Sequence, residues 1–260
     1  MTKLPQDKIA VFLHLYYKIP SKYLIDKLSK FWDGDVYVSM LKGGINNEEI
    51  KDYLKSKFKR VNVLEVENKG NDIFGFYQCH RQYEPEQEWI LYLHDKHMSK
   101  LDWLDDMVDP ILGDETIDSV NKILCNNDTK YGIICSETYK RGLDDEEALI
   151  EVDKQTPLEL KHRVVLARAT LLWLRELQYI LSSTFGYIKK NDLTFDFMAG
   201  TVFFAKQNVI KLSHSCVCQE YFINFYKPDG EVQHAIERFY FYVNLCLEQR
   251  VKYLSRKEDI

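Results

Sequence analysis

The chain has 260 residues, 45% of them hydrophobic and 29% charged, with a formal net charge of −5. Those proportions describe a globular chain able to bury a substantial core and exclude a disordered or fibrous one. The acidic balance argues against a general nucleic-acid binder, and no run reaches the roughly 18 apolar residues that a membrane helix needs.

In chain order, KIAVFLHLYY (8–17) is a dense apolar run of strand length, and SKYLIDKLSKFW follows with Tyr23, Leu24, Leu28 and Phe31 at helical spacing behind Ser21, a candidate N-cap. DVYVSML (35–41) is a second strand. NNEEIKDYLKSKF (46–58) opens with acids and closes with lysines, as the helix dipole favours. RVNVLEVEN (60–68) alternates like a third strand, GNDIFGFYQCHRQY starts a helix, and EWILYLHDK (88–96) is a fourth strand. Strand and helix in alternation imply a mostly parallel sheet with right-handed crossovers.

The second half is less regular. LDWLDDMVDPIL (101–112) and TIDSVNKILCNN (116–127) read as amphipathic helices and KYGIICS (130–136) as a buried strand. RGLDDEEALIEVDK (141–154) reads as an acidic surface loop or short helix. LELKHRVVLARATLLWLRELQYILSSTFGY reads as one or two helices ending near Gly186. FDFMAGTVFFAK (195–206) is strand-like around Gly200, and VQHAIERFYFYVNLCLEQR (232–250) reads as the last helix. With no internal repeat, low-complexity tract or linker, one domain over 1–260 is expected. The start, MTKLPQDKIAVFLHLYY, lacks the features of a signal peptide, so a cytoplasmic location is expected.

Six cysteines are scattered without a Cys-x-x-Cys pair. Cys216 and Cys218 lie near His214, but their spacing fits no common zinc site, and buried hydrophobic cysteines are the commoner case. The turn that follows the first strand, within HLYYKIPSKY, contains no glycine and so lacks a dinucleotide-binding pattern, and no phosphate-binding Walker loop is present.

In parallel sheets ligands bind beyond the carboxyl ends of the strands. His14, Asn68 and the cluster His94, Asp95, Lys96 and His97 all fall at or near such ends and should converge. The HDKH cluster admits three readings: a metal site without an identifiable third ligand, a solvated strand end, or a cationic pocket for a phosphate or diphosphate. In NKGNDIFGF (68–76), Asp72 either faces a ligand or caps the following helix.

Five segments taken together carry a resemblance. AVFLHLYY, VENKGNDIFGF, WILYLHDKHMSK, MAGTVFFAK and DGEVQHAIERF resemble, in order and spacing, the rhamnan synthesis protein F family of bacterial polysaccharide glycosyltransferases. Three departures bear on substrate: Phe74-Gly75-Phe76 where Gly-Pro-Phe is common, HDKHMSK in place of a Thr-Lys-Lys-Ser-like run, and Phe204 where a Trp is frequent.

The resemblance implies an α/β, GT-A-like, Rossmann-type nucleotide-sugar domain, with residues about 8–96 as the nucleotide-sugar half and about 97–260 as the acceptor-side and helical half. It implies a nucleotide-sugar donor, dTDP-L-rhamnose favoured over UDP- or GDP-sugars, a glycan acceptor and an inverting transfer. Nucleic acid is not an expected partner. No cofactor is assigned with certainty, Mn2+ or Mg2+ being the candidates. No residue is assigned as a metal ligand, because His94-Asp95-Lys96 stands where many such enzymes have Asp-x-Asp. A cation from Lys96, with His94, would take over part of the metal's role.

On the donor side the resemblance places His14, Asn68, Gly70, Asp72, His94, Asp95 and Lys96, and on the acceptor side Gly200, Thr201 and Arg238. The base candidates are Asp229, favoured, and Glu237, with His234 on the same helix face as Glu237 and Arg238 about 100° away around an ideal helix. A catalytically inactive glycan-binding or scaffolding module is the alternative.

Overall fold

The computed structural model describes residues 2–143, 158–187, 195–222 and 232–255. At its centre β1 (Ile9–Leu15) pairs in parallel with β2 (Asp35–Leu41) on one side and β4 (Trp89–His94) on the other, and β2 carries β3 (Arg60–Val66) in parallel at the sheet edge. β1 and β4 are buried at nearly every position, which is why they read as continuous apolar runs, whereas edge strand β3 is largely half-buried. Helices α1 (Lys18–Phe31), α2 (Asn47–Lys57) and α3 (Asn71–Tyr83) make the crossovers.

After a short 3₁₀ turn at Met98–Lys100 come α4 (Leu101–Leu112), α5 (Ile117–Leu124) and β5 (Tyr131–Ser136). β6 (Lys140–Gly142) and β7 (Asp196–Met198) form a separate antiparallel pair, with α6 (Leu158–Phe185) between them in sequence. β8 (Phe203–Lys206), α7 (Gln207–Ser215), a second 3₁₀ turn at Gln219–Tyr221, α8 (Val232–Cys246) and β9 (Arg250–Leu254) complete the described elements. β8 runs antiparallel to both β4 and β5, and β9 lies parallel to β5, so the main sheet has the order β3-β2-β1-β4-β8-β5-β9. The result is a mixed α/β, Rossmann-like architecture with a mostly parallel central sheet flanked by helices.

Three local expectations are corrected. Ser21 does not cap α1: the helix starts at Lys18, Tyr17 holds the N-cap position, and the Ser21 hydroxyl donates instead to Asp95 across the sheet edge. The 195–206 run is two strands in different sheets, because Gly200 at φ 107° turns the chain between them. The last helix ends at Cys246, and Glu248, at φ 56°, leads into β9 rather than a further turn of helix. Of the acidic 141–154 stretch, residues 144–154 lie outside the described residues.

Candidate functional site

A cleft of about 730 Å3 opens at the carboxyl ends of β1, β3 and β4. Its floor takes His14 from β1, His94 from β4 and Asp72 from the first turn of α3, and its mouth takes Lys96, His97 and Lys100. The opposite wall is α8, through Gln233, His234 and Glu237, together with Gly200 of the β7–β8 link. Strand ends far apart in sequence converge because adjacent parallel strands finish at one edge.

The turn before α3 is specified locally. Gly70 and Asn71 both adopt left-handed backbone (φ 53° and 50°), and the Tyr92 hydroxyl donates to the Asp72 carbonyl at 2.8 Å. A Cβ at Gly70 would come 2.3 Å from the Phe222 ring, so this glycine serves the turn and its packing and does not itself line the cleft. Asn68 does line it.

His94 is only 1% exposed. Its Nδ1 lies 3.1 Å from the Asp95 carbonyl, which can only accept, so Nδ1 carries the hydrogen and Nε2 presents a lone pair. That Nε2 faces Asp72 Oδ2 at 3.5 Å, and neither atom has a hydrogen-bond partner. Burial pushes the imidazole pKa down to about 3, outweighing the attraction of Asp72, and burial likewise lowers His14 to about 4. Although burial disfavours its charge, Asp72 is held well below the usual carboxylate range by the groups facing it. With both imidazoles neutral, the cation opposite Asp72 is Lys96, whose Nζ lies 3.9 Å from Oδ1. A Cβ at Gly75 would lie 2.3 Å from His14 Nδ1, so the glycine leaves the space the imidazole occupies.

Asp95 lines the cleft but commits one oxygen to the start of α1. Its Oδ2 accepts from the amides of Tyr16 and Tyr17, at 2.9 and 2.7 Å, and from the Ser21 hydroxyl at 2.6 Å. It ties the start of α1 to the end of β4, and burial, opposed by these hydrogen bonds, raises its pKa to about 6. A divalent ion on a diphosphate takes one or two protein carboxylates. Among the described residues no three His, Cys, Asp or Glu side chains converge as a self-contained metal cage, and Asp72, with Oδ2 unpartnered in the cleft, is the carboxylate that would face an ion carried on a diphosphate. Cys216 is buried, and His214 is engaged with His80 (3.2 Å) and the Tyr240 hydroxyl (2.9 Å), a core network rather than a metal site.

On α8, His234 and Glu237 share the cleft-facing side, as a three-residue spacing requires. Arg238 turns away: it is 8% exposed, its guanidinium lies 4.6 Å from the Phe197 ring centroid, and it donates to the His234 carbonyl at 2.5 Å. Arg238 is thus a buried packing residue in the free protein, not part of the cleft wall. Thr201 is also behind the wall, donating to Glu237 Oε1 at 2.7 Å, whereas Gly200 lines the cleft directly. Asp229 lies outside the described residues. Trp103, Gln233 and Lys100 line the cleft without having been singled out from the sequence.

The fold is a Rossmann-like α/β architecture with a cleft at its parallel strand ends, the place where proteins of this class hold their ligands. The chain belongs to the rhamnan synthesis protein F family, whose model matches residues 1–248. Membership ties it to polysaccharide synthesis. Among individually curated proteins, none matches the chain. No helix among the described residues is long and apolar enough to cross a membrane.

Proposed function

We propose that the protein is a glycosyltransferase moving a sugar, L-rhamnose or a related deoxysugar favoured, from a nucleoside diphosphate to a glycan acceptor with inversion, on a GT-A-like domain in the cytoplasm. One observation carries the reading: the cleft sets the ammonium of Lys96 on one side and the carboxylate of Glu237 on the other. Transfer needs positive charge at the leaving diphosphate and a base at the acceptor hydroxyl.

In this reading Lys96, with Lys100 beside it at the mouth, stabilises the departing diphosphate in place of a divalent ion. Asp72 Oδ2 and His94 Nε2, both acceptors, receive ligand hydroxyl or N–H groups from the donor. Elimination favours Glu237 as base among the described carboxylates of the cleft. Asp72 sits on the Lys96 side with His94, Asp95 Oδ2 is taken by three donors, and Glu67 pairs with Lys69 at 2.5 Å, whereas Glu237 stands on the opposite wall. Glu237 is oriented by the Thr201 hydroxyl and keeps Oε2 3.8 Å from Arg238. Asp229 remains the competing candidate, and Asp229→Asn compared with Glu237→Gln separates the two.

The test is nucleotide release from dTDP-L-rhamnose, UDP-sugars and GDP-sugars with a glycan acceptor, each with EDTA or Mn2+. Release from one donor that persists in EDTA supports the reading. Binding of glycan without release from any donor replaces it with the inactive glycan-binding module.

A further inference from the structure

Trp103 stands in the first turn of α4, half-buried, where the two walls of the cleft meet. Its ring centroid is 5.7 Å from that of His94 and 5.9 Å from that of Tyr139. The Lys96 ammonium sits 5.2 Å from the same centroid. On the other side, the backbone of Gly200 presses on the indole edge so closely that a Cβ there would lie 2.3 Å from Cζ2. Gly200 leads directly into Thr201, the hydrogen-bond partner of Glu237. One indole therefore touches both the cation and the segment that orients the base.

We propose that the face of Trp103 is a catalytic surface that receives the transferred sugar ring and stabilises the positive charge developing at its anomeric carbon. The inference rests on the glycosyl-transfer reading and assigns a residue that reading does not use. A pyranose whose diphosphate lies on Lys96 and whose acceptor meets Glu237 has to lie between them, along the wall Trp103 provides. In the transfer, the bond from the anomeric carbon to the diphosphate oxygen breaks and its electron pair leaves with the diphosphate. The acceptor oxygen bonds to that carbon, and its proton passes to Glu237. Between these events the ring carries oxocarbenium character, and an indole face attracts a cation more strongly than any other side-chain ring. The free protein already uses the face in this way, for Lys96. When Lys96 turns toward a bound diphosphate, the face becomes available to the sugar.

The experiment compares Trp103→Tyr, Trp103→Phe and Trp103→Leu with the unaltered chain, using the donor that the latter turns over. Turnover by nucleotide release, dTDP or UDP affinity by calorimetry, and melting are measured on each. The expected result is kcat falling in the order Trp, Tyr, Phe, Leu, by about 10-fold or more for Leu, with nucleotide affinity within about 3-fold. If Trp103→Leu does not fold, the Tyr and Phe variants carry the comparison. Unchanged kcat in the folded variants overturns the inference, as does a loss of kcat that tracks nucleotide affinity or melting. An unaltered chain that turns over no donor overturns the transferase reading and this inference together, whereas an active one unaffected by Trp103→Leu overturns this inference alone.

Discussion

The Thr201 hydroxyl donates to Glu237 Oε1 at 2.7 Å, joining the β7–β8 link to the cleft face of α8. The bond holds the carboxylate in one rotamer, which is useful to a group that takes a proton from an acceptor. Glu237→Gln keeps the shape and loses the base, so turnover should fall by about 100-fold or more while nucleotide affinity and melting stay near those of the unaltered chain. Thr201→Val should lower turnover by about 10-fold or less, since it loosens the base without removing it. Steady-state kinetics with a fixed donor distinguish the two, and equal losses would deny Glu237 the role of base.

Lys96 meets Asp72 at 3.9 Å and the Trp103 face at 5.2 Å, and neither contact is a close hydrogen bond. A cation so loosely held is free to move to a diphosphate. Lys96→Met should weaken dTDP or UDP binding and lower turnover by about 10-fold to 100-fold, and Lys96→Arg should restore part of it. In the unaltered chain, turnover should survive EDTA. Strict dependence on Mn2+ or Mg2+ would assign the leaving-group charge to a metal and remove Lys96 from that role.

Much of the fold could be read from periodicity because β1, β2 and β4 are flanked by helices and α1 to α3 carry regular apolar faces. The site could be read for the same reason: once the strands are parallel, His14, Asn68 and His94 have to meet at one edge. What periodicity could not show was contact made at a distance. Ser21 has the composition of a cap, and only the tertiary structure reveals that its hydroxyl serves Asp95. Gly200 stands inside an unbroken apolar run, yet its φ of 107° sends the flanking residues into different sheets. β9 was hidden because RVKYL follows a helix whose pattern runs on through CLEQR. Trp103 has the spacing of a core residue in α4, and nothing local separates a cleft indole from a buried one.

Asp95 gives a stability prediction rather than a catalytic one. Its Oδ2 is the common acceptor for Tyr16, Tyr17 and Ser21, so it fixes the end of β1 and the start of α1 to β4. Asp95→Asn can keep one oxygen to accept from the three groups, but it removes the charge that strengthens those bonds and puts an NH2 in place of Oδ1 at a 5% exposed site. A loss of about 2–4 kcal/mol is expected, and about 1–2 kcal/mol for Ser21→Ala. Denaturant unfolding measures both. A neutral Asp95→Asn would show that the clamp is dispensable.

Stability should fall on mild acidification, and the sign follows from the buried imidazoles. Burial lowers His14 and His80 to about 4, His94 to about 3, and His214 well below its ordinary value, whereas in the unfolded chain each titrates near 6.5. Their contribution is present above pH 6.5 and is lost as pH falls toward 4, because the unfolded chain takes up protons that the folded one refuses. Asp95 acts oppositely: raised to about 6, it binds its proton more readily in the folded state, so acidification from 6 to 4 favours folding. Four groups against one leave net proton uptake on unfolding, each proton worth about 1.4 kcal/mol per pH unit. Melting midpoints measured from pH 7.5 to 4.5 should therefore decline most steeply below pH 6.5. His80→Gln, which removes one imidazole from the core network with His214, should flatten the decline. A midpoint that is level or rises over that range would mean that these imidazoles take up protons in the folded state, and that the cleft floor carries positive charge beyond Lys96.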